Sequence, residues 1–202
     1  SRFHPVSAEE KSALRKEYGF QDEDFILIYV AEFTENKNHM FLLGLVKELL
    51  KTIPTLKVIF AGCGDTMKQC QSYVEQEKIE SVVFFLGYRR DVEVLYRISD
   101  VSISVSKREG LPVNVIEAMA SGLPVVCSEV RGQVDLVKDG ENGFLFPLEA
   151  YSITSELVGG IRQLFQDSAL RSTMRKVNIE KAQKYSLEQA IASMVGIYRE
   201  FL

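Results

Sequence analysis

Short apolar runs of strand length alternate along the chain with longer segments that have helical periodicity. The predicted strands are Phe25–Ala31, Thr55–Ala61, Ser81–Leu86, Val101–Val105, Leu123–Ser128 and Asn142–Pro147. The predicted helices are Ala8–Tyr18, Asn38–Ile53, Thr66–Glu77, Arg90–Ser99, Leu111–Ser121, Gly132–Val137, 151–166, 168–184 and 186–201. Such alternation is typical of a doubly wound parallel sheet with helices on both faces. We therefore predict an α/β fold, a Rossmann-like three-layer α/β/α arrangement with about six parallel strands.

The 202 residues suit one large domain with its own core. Residues 1–24 are expected to form a linker and a leading helix, and residues 25–202 the main domain with its C-terminal helices. The opening residues lack the pattern of a secretory signal, and the three cysteines are too few for a disulfide scaffold. A cytoplasmic location is expected. The net charge of −4 argues against a nucleic-acid partner.

The segment from Ser106 to Val126 carries the most specific chemistry. A predicted strand leads into a polar loop, and Gly110 and Pro112 then precede an apolar helix. That helix contains one carboxylate, Glu117, which is costly among apolar neighbours unless it has a partner. Glu109 stands eight residues earlier in the loop. Free N–H groups at a helix start bind anions, and carboxylates beside them accept hydrogen bonds from hydroxyls. The pattern therefore indicates a ligand with both phosphate and hydroxyl groups.

This pair of glutamates, followed by Ala-Met-Ala-Ser-Gly-Leu-Pro-Val-Val over 118–126, resembles the motif of retaining GT-B glycosyltransferases of family 4. The resemblance extends in order over most of the chain. It implies one half of a GT-B fold, the C-terminal donor-binding domain, with the N-terminal acceptor domain absent.

The implied activity is transfer of a hexose from a UDP- or GDP-sugar to a glycan or lipid-linked acceptor in polysaccharide biosynthesis. The fragment alone is expected to be inactive. The resemblance implies no cofactor and no metal ion. It places the full-length enzyme in the cytoplasm, with peripheral association at the inner face of the membrane as a further expectation.

The resemblance also assigns roles to individual residues. Glu109 is expected beside the donor sugar and Lys37 on the diphosphate, as the catalytic pair. Glu117 is expected to accept hydrogen bonds from the ribose hydroxyls, although a structural glutamate that caps a nearby N–H is the alternative. The backbone of the loop and helix start is expected to hold the diphosphate through Gly110, Leu111, Pro112 and Val113.

Two loops depart from the pattern or leave alternatives open. Where the family has Gly-Arg-Leu, this chain has Ala31-Glu32-Phe33, so Glu32 replaces a cation. Glu32 is expected to hold Lys37 or to bind a hydroxyl, and the missing positive charge is expected from Lys107, Arg108 or Arg90. Tyr88 and Arg89, in the loop over 87–91, are expected to contact the nucleobase. The alternative for this loop is a plain turn with Asp91 as helix cap.

The remaining candidates have weaker signals. The Gly62-Cys63-Gly64-Asp65 turn fits a structural turn and a ligand contact equally well. His39 is expected to be a surface or packing residue. At the level of function, the alternatives are a non-catalytic nucleotide-binding or docking domain and another GT-B activity, such as a nucleotide-sugar epimerase.

Overall fold

Six parallel strands form the centre of the fold in the computed structural model, which describes residues 2–148, 153, 155–186, 189, 191, 194 and 195. They are β1 (Phe25–Val30), β2 (Leu56–Ala61), β3 (Val83–Phe85), β4 (Val101–Ser104), β5 (Val125–Ser128) and β6 (Gly143–Phe146). The strand order is β3-β2-β1-β4-β5-β6. Phe25 pairs with Leu56 across β1 and β2, and Leu27 pairs with Val101 across β1 and β4.

Helices cover both faces of this sheet, which confirms the predicted three-layer α/β/α fold. They are α1 (Ala8–Glu17), α2 (His39–Leu50), α3 (Met67–Glu77), α4 (Val92–Ile98), α5 (Val113–Ala120), α6 (Ser155–Gln166) and α7 (Ser168–Gln183). Among the described residues, none of these helices is both long and apolar enough to cross a bilayer.

The alternation of side chains along β1 divides the interior into two cores. Leu27 and Tyr29 point into a cluster completed by α2, α3 and α6, whereas Ile26 and Ile28 point into a cluster completed by α4 and α5. Both sets are fully buried. A continuous apolar run such as β1 is therefore what a sheet covered on both faces requires.

The structure corrects two predicted elements and leaves two others partly outside the described residues. The helix expected over 132–137 is a series of turns over 131–136, because Gly132 has φ of +84° and interrupts helical geometry at its start. Helix α5 begins at Val113 and not at Leu111, since Pro112 has extended backbone angles in the N-cap position. The helix expected over 186–201 falls mostly outside the described residues, as does the first part of the one expected over 151–166.

Candidate functional site

The order of the strands creates a crevice between the loops that follow β1 and β4. These strands are neighbours, yet the chain continues from β1 to one side of the sheet and from β4 to the other. In doubly wound sheets, ligands bind outside the carboxyl ends of the strands at this reversal. The two loops are hydrogen-bonded to each other, since the Lys107 amide donates to the Asn36 carbonyl (2.8 Å) and the Asn36 side chain donates to the Arg108 carbonyl (3.1 Å).

Lys37 and Glu109 meet in this crevice. Lys37 Nζ donates to Glu109 Oε1 at 2.5 Å, and the two residues are 72 positions apart in the sequence. The Glu109 side chain is 9% exposed and that of Lys37 is 23% exposed. Of the two alternatives for Glu32, that of holding Lys37 is not seen, because Lys37 pairs with Glu109, and that of binding a hydroxyl stays a prediction. Glu32 is exposed.

A buried polar network lies beneath this pair. Tyr29 Oη donates to the Lys37 carbonyl (2.9 Å) and lies 2.9 Å from Ser106 Oγ. The Ser128 hydroxyl lies 2.6 Å from the Ser106 carbonyl and 2.8 Å from Gln133 Oε1. Burial raises the pKa of the Tyr29 phenol, so it stays protonated and remains a donor. The network fixes the backbone on both sides of the crevice.

The start of α5 offers unpaired backbone donors to the same crevice. Pro112 occupies the N-cap position and no side chain caps this helix. In the part of the chain that the structure describes, the amides of Val113 and Asn114 have no carbonyl partner. Unpaired N–H groups and the partial positive charge at a helix start together favour an anion. Gly110 and Leu111, just before this helix, are exposed.

Gly132 supports the loop before α5 by close backbone approach. A Cβ on this residue would lie 2.1 Å from the Gly110 carbonyl oxygen and 3.2 Å from that of Glu109. Its positive φ also favours glycine. Gly132 and Tyr29 are not among the predicted site residues. The signals that could have found them are a glycine soon after a buried strand and a tyrosine within one.

Glu117 lies in the middle of α5 and is half-buried. Among the described residues its carboxylate makes no hydrogen bond or ion pair, so the alternative of a capping glutamate is not seen. Burial raises the pKa of Glu117, the positive charge of Arg2 opposes this rise, and the negative charge of Glu93 adds to it. Glu117 lines a groove of about 480 Å³ together with Val113 and Ile116 from its own helix.

Glu32, Tyr88 and Arg89 come together in a second depression, at the ends of β1 and β2. Its volume is about 420 Å³. The Tyr88 side chain is prominent here, because this residue is 76% exposed. Gly62 lines the same depression and packs against the β1 loop, since a Cβ on it would lie 2.0 Å from the Ala31 carbonyl oxygen. The glycine turn thus has a structural role at this position.

The Arg89 guanidinium is bound to Asp91. Arg89 Nε lies 2.8 Å from Asp91 Oδ1 and Nη2 lies 2.5 Å from Oδ2, while Tyr18 Oη donates to Oδ2 at 2.6 Å. The Arg89 hydrogen bond lowers the pKa of Asp91 to about 2. Asp91 occupies the N-cap position of α4, but its side chain makes no capping bond. The alternative of Asp91 as helix cap is therefore confirmed in position, although its side chain binds Arg89 and Tyr18 and no helix N–H.

His39 has a packing role at the start of α2. It is 2% exposed, and its ring stacks on Phe33 with 3.9 Å between centroids. Burial lowers its pKa to about 3, so the ring is neutral at pH 7. Neither ring nitrogen has a hydrogen-bond partner among the described residues.

Metal-ligating side chains do not gather in groups of three or more within the described parts of the chain. The Asp22-Glu23-Asp24 run has the spacing of a metal motif but serves the turn between α1 and β1. There Asp24 accepts from the Gln21 amide (2.7 Å) and Asp22 accepts from the Ser12 hydroxyl (2.9 Å).

Comparison with known proteins gives consistent matches. The family model described as "Glycosyl transferases group 1" matches residues 10–184. The putative glycosyltransferase EpsD of Bacillus subtilis is 34% identical over 201 residues, which are 100% of this chain and 52% of that protein. The chain thus spans about half the length of EpsD.

Solved structures show the same fold. HepE of Anabaena, in complex with UDP and glucose, matches with a TM-score of 0.82 and 24% identity over 96% of this chain and 54% of that one. The C-terminal domain of a group 1 family glycosyl transferase (LpcC) from Francisella tularensis matches with a TM-score of 0.78 and 21% identity. That match covers 92% of this chain and 96% of that domain.

Proposed function

Because the chain belongs to the group 1 glycosyl transferases, we propose that it is the donor-binding half of a retaining GT-B enzyme of family 4. The whole enzyme transfers a hexose from a UDP- or GDP-sugar to a glycan or lipid-linked acceptor in polysaccharide assembly. A second Rossmann-like half, N-terminal to this one, supplies the acceptor side. The similarity to EpsD and to the HepE complex with UDP and glucose supports this proposal.

One observation carries the proposal: Lys37, in the loop after β1, and the uncapped start of α5, after the loop that follows β4, border the same crevice. A nucleotide sugar leaves a diphosphate whose negative charge grows in the transition state. A fixed ammonium and free backbone N–H groups stabilise such charge without reorganising. Lys37 uses one of its three donors on Glu109, which leaves two for phosphate oxygens.

Glu109 is proposed to face the donor sugar while it positions Lys37. Its carboxylate offsets the charge of Lys37, so a diphosphate needs a further cation nearby. Arg108 is the adjacent exposed residue in the same loop, and we assign it this role. Its carbonyl is held by the Asn36 side chain, which fixes the loop that carries it.

The nucleoside is proposed to bind with its ribose at Glu117 and its base near Tyr88. Two carboxylate oxygens match two vicinal hydroxyls. Among the described residues the Glu117 carboxylate makes no hydrogen bond that ligand binding would have to break. The exposed Tyr88 ring offers a stacking surface for the base. Glu32 lines the same depression and is proposed to accept a ligand hydroxyl, whereas Arg89 supports the loop through Asp91.

The diphosphate is proposed to bind without a divalent ion, since Lys37 and the helix start supply the positive potential.

The titration that tests the function measures binding of UDP, GDP and ADP and of their sugars to the purified chain. Tight binding of one nucleoside diphosphate, weakened by Lys37→Ala, supports the donor site. Failure of all of them to bind contradicts it.

Transfer is tested on the full-length enzyme, because the chain alone is proposed to be inactive. A product with retained anomeric configuration supports the transferase. Conversion of the nucleotide sugar to its epimer without an acceptor indicates the epimerase, and binding with neither reaction indicates a docking domain.

A further inference from the structure

A polar depression lies at the amino ends of β4 and β5, at the opposite edge of the sheet from Lys37 and Glu109. Its volume is about 210 Å³, below the roughly 300–1,000 Å³ of pockets for drug-sized ligands, so it suits a small ligand. The lining is formed by α1, by the turns before β4 and β5, and by α7. Its residues are Lys11, Ser99, Asp100, Gly122, Leu123, Pro124, Ser168, Arg171, Ser172 and Arg175.

Two hydroxyls and two guanidinium groups come from one face of α7. Ser168, Arg171, Ser172 and Arg175 are spaced at i, i+3, i+4 and i+7, so they lie along a single helical stripe. This stripe faces the depression, because all four residues line it. Neither serine hydroxyl has a hydrogen-bond partner among the described residues, and both serines are exposed.

The two arginines are tied down by backbone carbonyls and not by carboxylates. Arg175 Nη2 donates to the Val6 carbonyl at 2.9 Å. Arg171 Nη1 donates to the carbonyls of Leu164 and Phe165. Within the described ranges neither arginine has an acidic partner. Each guanidinium is therefore fixed in place with its charge uncompensated and with further N–H donors to offer.

The one carboxylate in the lining is already neutralised. Asp100 accepts from Lys11 Nζ and from Arg15 Nη2, both at 2.7 Å, and from the Ile26 amide at 2.8 Å. Burial lowers the pKa of Lys11, and the positive charges of Arg15 and Arg171 lower it further. The negative charge of Asp100 raises this pKa and so opposes the other effects. Lys11 and Arg15 thus bind the one carboxylate, while Arg171 and Arg175 line the same depression without a carboxylate partner among the described residues.

We propose that this depression binds a phosphate dianion, either free phosphate or the phosphate of a small phosphomonoester. Lys11, Arg171 and Arg175 supply the charge, and the hydroxyls of Ser168 and Ser172 supply neutral donors. Hydrogen bonds between such cations and phosphate oxygens are about twice as strong as neutral ones, and guanidinium groups match phosphate geometry. The site is separate from the proposed donor site, so its ligand is not the donor.

The test is a pair of variants on adjacent residues of α7. Ser172→Glu places a carboxylate in the depression, whereas Thr173→Glu adds the same charge at an exposed position outside the lining. Both are titrated with sodium phosphate and with glycerol 3-phosphate at constant ionic strength, with chloride as reference, and the melting temperature is measured. Lys37→Ala is titrated in parallel, because phosphate is also expected to bind at the donor crevice.

The wild-type chain and Thr173→Glu are expected to show a saturable rise of about 3–6 °C at tenfold excess over Kd. Lys37→Ala, which weakens only the donor crevice, is expected to retain a saturable rise. Ser172→Glu is expected to bind at least tenfold more weakly. A response to both ligands indicates a site for free phosphate, and a response to glycerol 3-phosphate alone indicates a phosphomonoester site.

Equal responses of Ser172→Glu and Thr173→Glu, or no rise beyond that in chloride, would overturn the proposal. A rise that Lys37→Ala abolishes would assign the phosphate to the donor crevice and would also overturn it. Because the donor site is scored separately by nucleoside diphosphate binding, failure here leaves the proposed function standing.

Discussion

Substitution of Glu117 by glutamine separates a ligand-binding carboxylate from a structural one. In the proposed complex the amide retains one acceptor and replaces the other with a donor, so one ribose hydroxyl is mismatched. A mismatched buried polar group costs about 1–3 kcal/mol, which is roughly a 5- to 150-fold loss of affinity. The assay is titration calorimetry with the nucleoside diphosphate that the wild type prefers and with its 2′,3′-dideoxy analogue.

The same variant is expected to gain stability when no ligand is present. Burial raises the pKa of Glu117, so the folded state binds its proton more tightly than the unfolded state does. The contribution of Glu117 to stability is therefore greatest below its ordinary pKa and falls as the pH rises through the raised value. At pH 7, Glu117→Gln should have a higher urea midpoint than the wild type, with an unchanged m-value.

Glu93 provides the matched control on the neighbouring helix. It forms an ion pair with Arg2 at 2.6 Å, and the Arg2 hydrogen bond lowers the pKa of Glu93. The contribution of Glu93 to the stability of the folded state is present above its ordinary pKa and is lost as the pH falls through the lowered value. Glu93→Gln should therefore lose stability at pH 7, opposite in sign to Glu117→Gln. Equal ribonucleotide binding by wild type and Glu117→Gln would refute the role of Glu117 as a ribose acceptor.

Three further predictions concern the crevice. Tyr29→Phe removes the hydroxyl between the Lys37 carbonyl and Ser106, and should lower the free energy of unfolding by about 1–3 kcal/mol. The control is Tyr73→Phe, whose hydroxyl has no hydrogen bond in the described structure and whose loss should cost less than about 0.5 kcal/mol. Equal urea midpoints for the two variants would contradict this. Gly132→Ala should weaken nucleoside diphosphate binding in calorimetry, because the new methyl group displaces the loop before α5; wild-type affinity would contradict the close approach. Nucleoside diphosphate affinity should be the same in EDTA and in Mg²⁺. A strict metal requirement would contradict the proposed binding of the diphosphate by Lys37 and the start of α5.

Local sequence patterns were sufficient to predict the sheet. The six strands are apolar runs bounded by turn residues, and this pattern is local in sequence. Glu109 and the start of α5 were also predictable, because a polar loop with glycine and proline before an apolar helix marks a helix start. The exact start, at Val113, depended on the backbone angles of Pro112.

The partners of the site residues were not predictable from the sequence, because they depend on long-range register. Glu32 was expected to hold Lys37 or to bind a hydroxyl, but Lys37 pairs with Glu109 across two adjacent loops. Gly132 supports the loop before α5 from a turn, in a segment that the sequence pattern predicted to be a helix. Asp91 lies at the N-cap position of α4, as considered, yet its side chain binds Arg89 and Tyr18, and the bond to Tyr18 joins residues 73 positions apart.

The central claim is that Lys37 binds the diphosphate of a nucleotide donor. The most direct measurement is calorimetric binding of the preferred nucleoside diphosphate, and of its parent nucleoside, to wild type, Lys37→Ala and Lys51→Ala, an exposed lysine at the end of α2. Lys37→Ala should weaken diphosphate binding by about 1.5–3 kcal/mol, roughly 10- to 150-fold, and leave nucleoside binding unchanged. Lys51→Ala should match the wild type with both ligands. Equal losses for diphosphate and nucleoside in Lys37→Ala, or no loss for either, would contradict the claim.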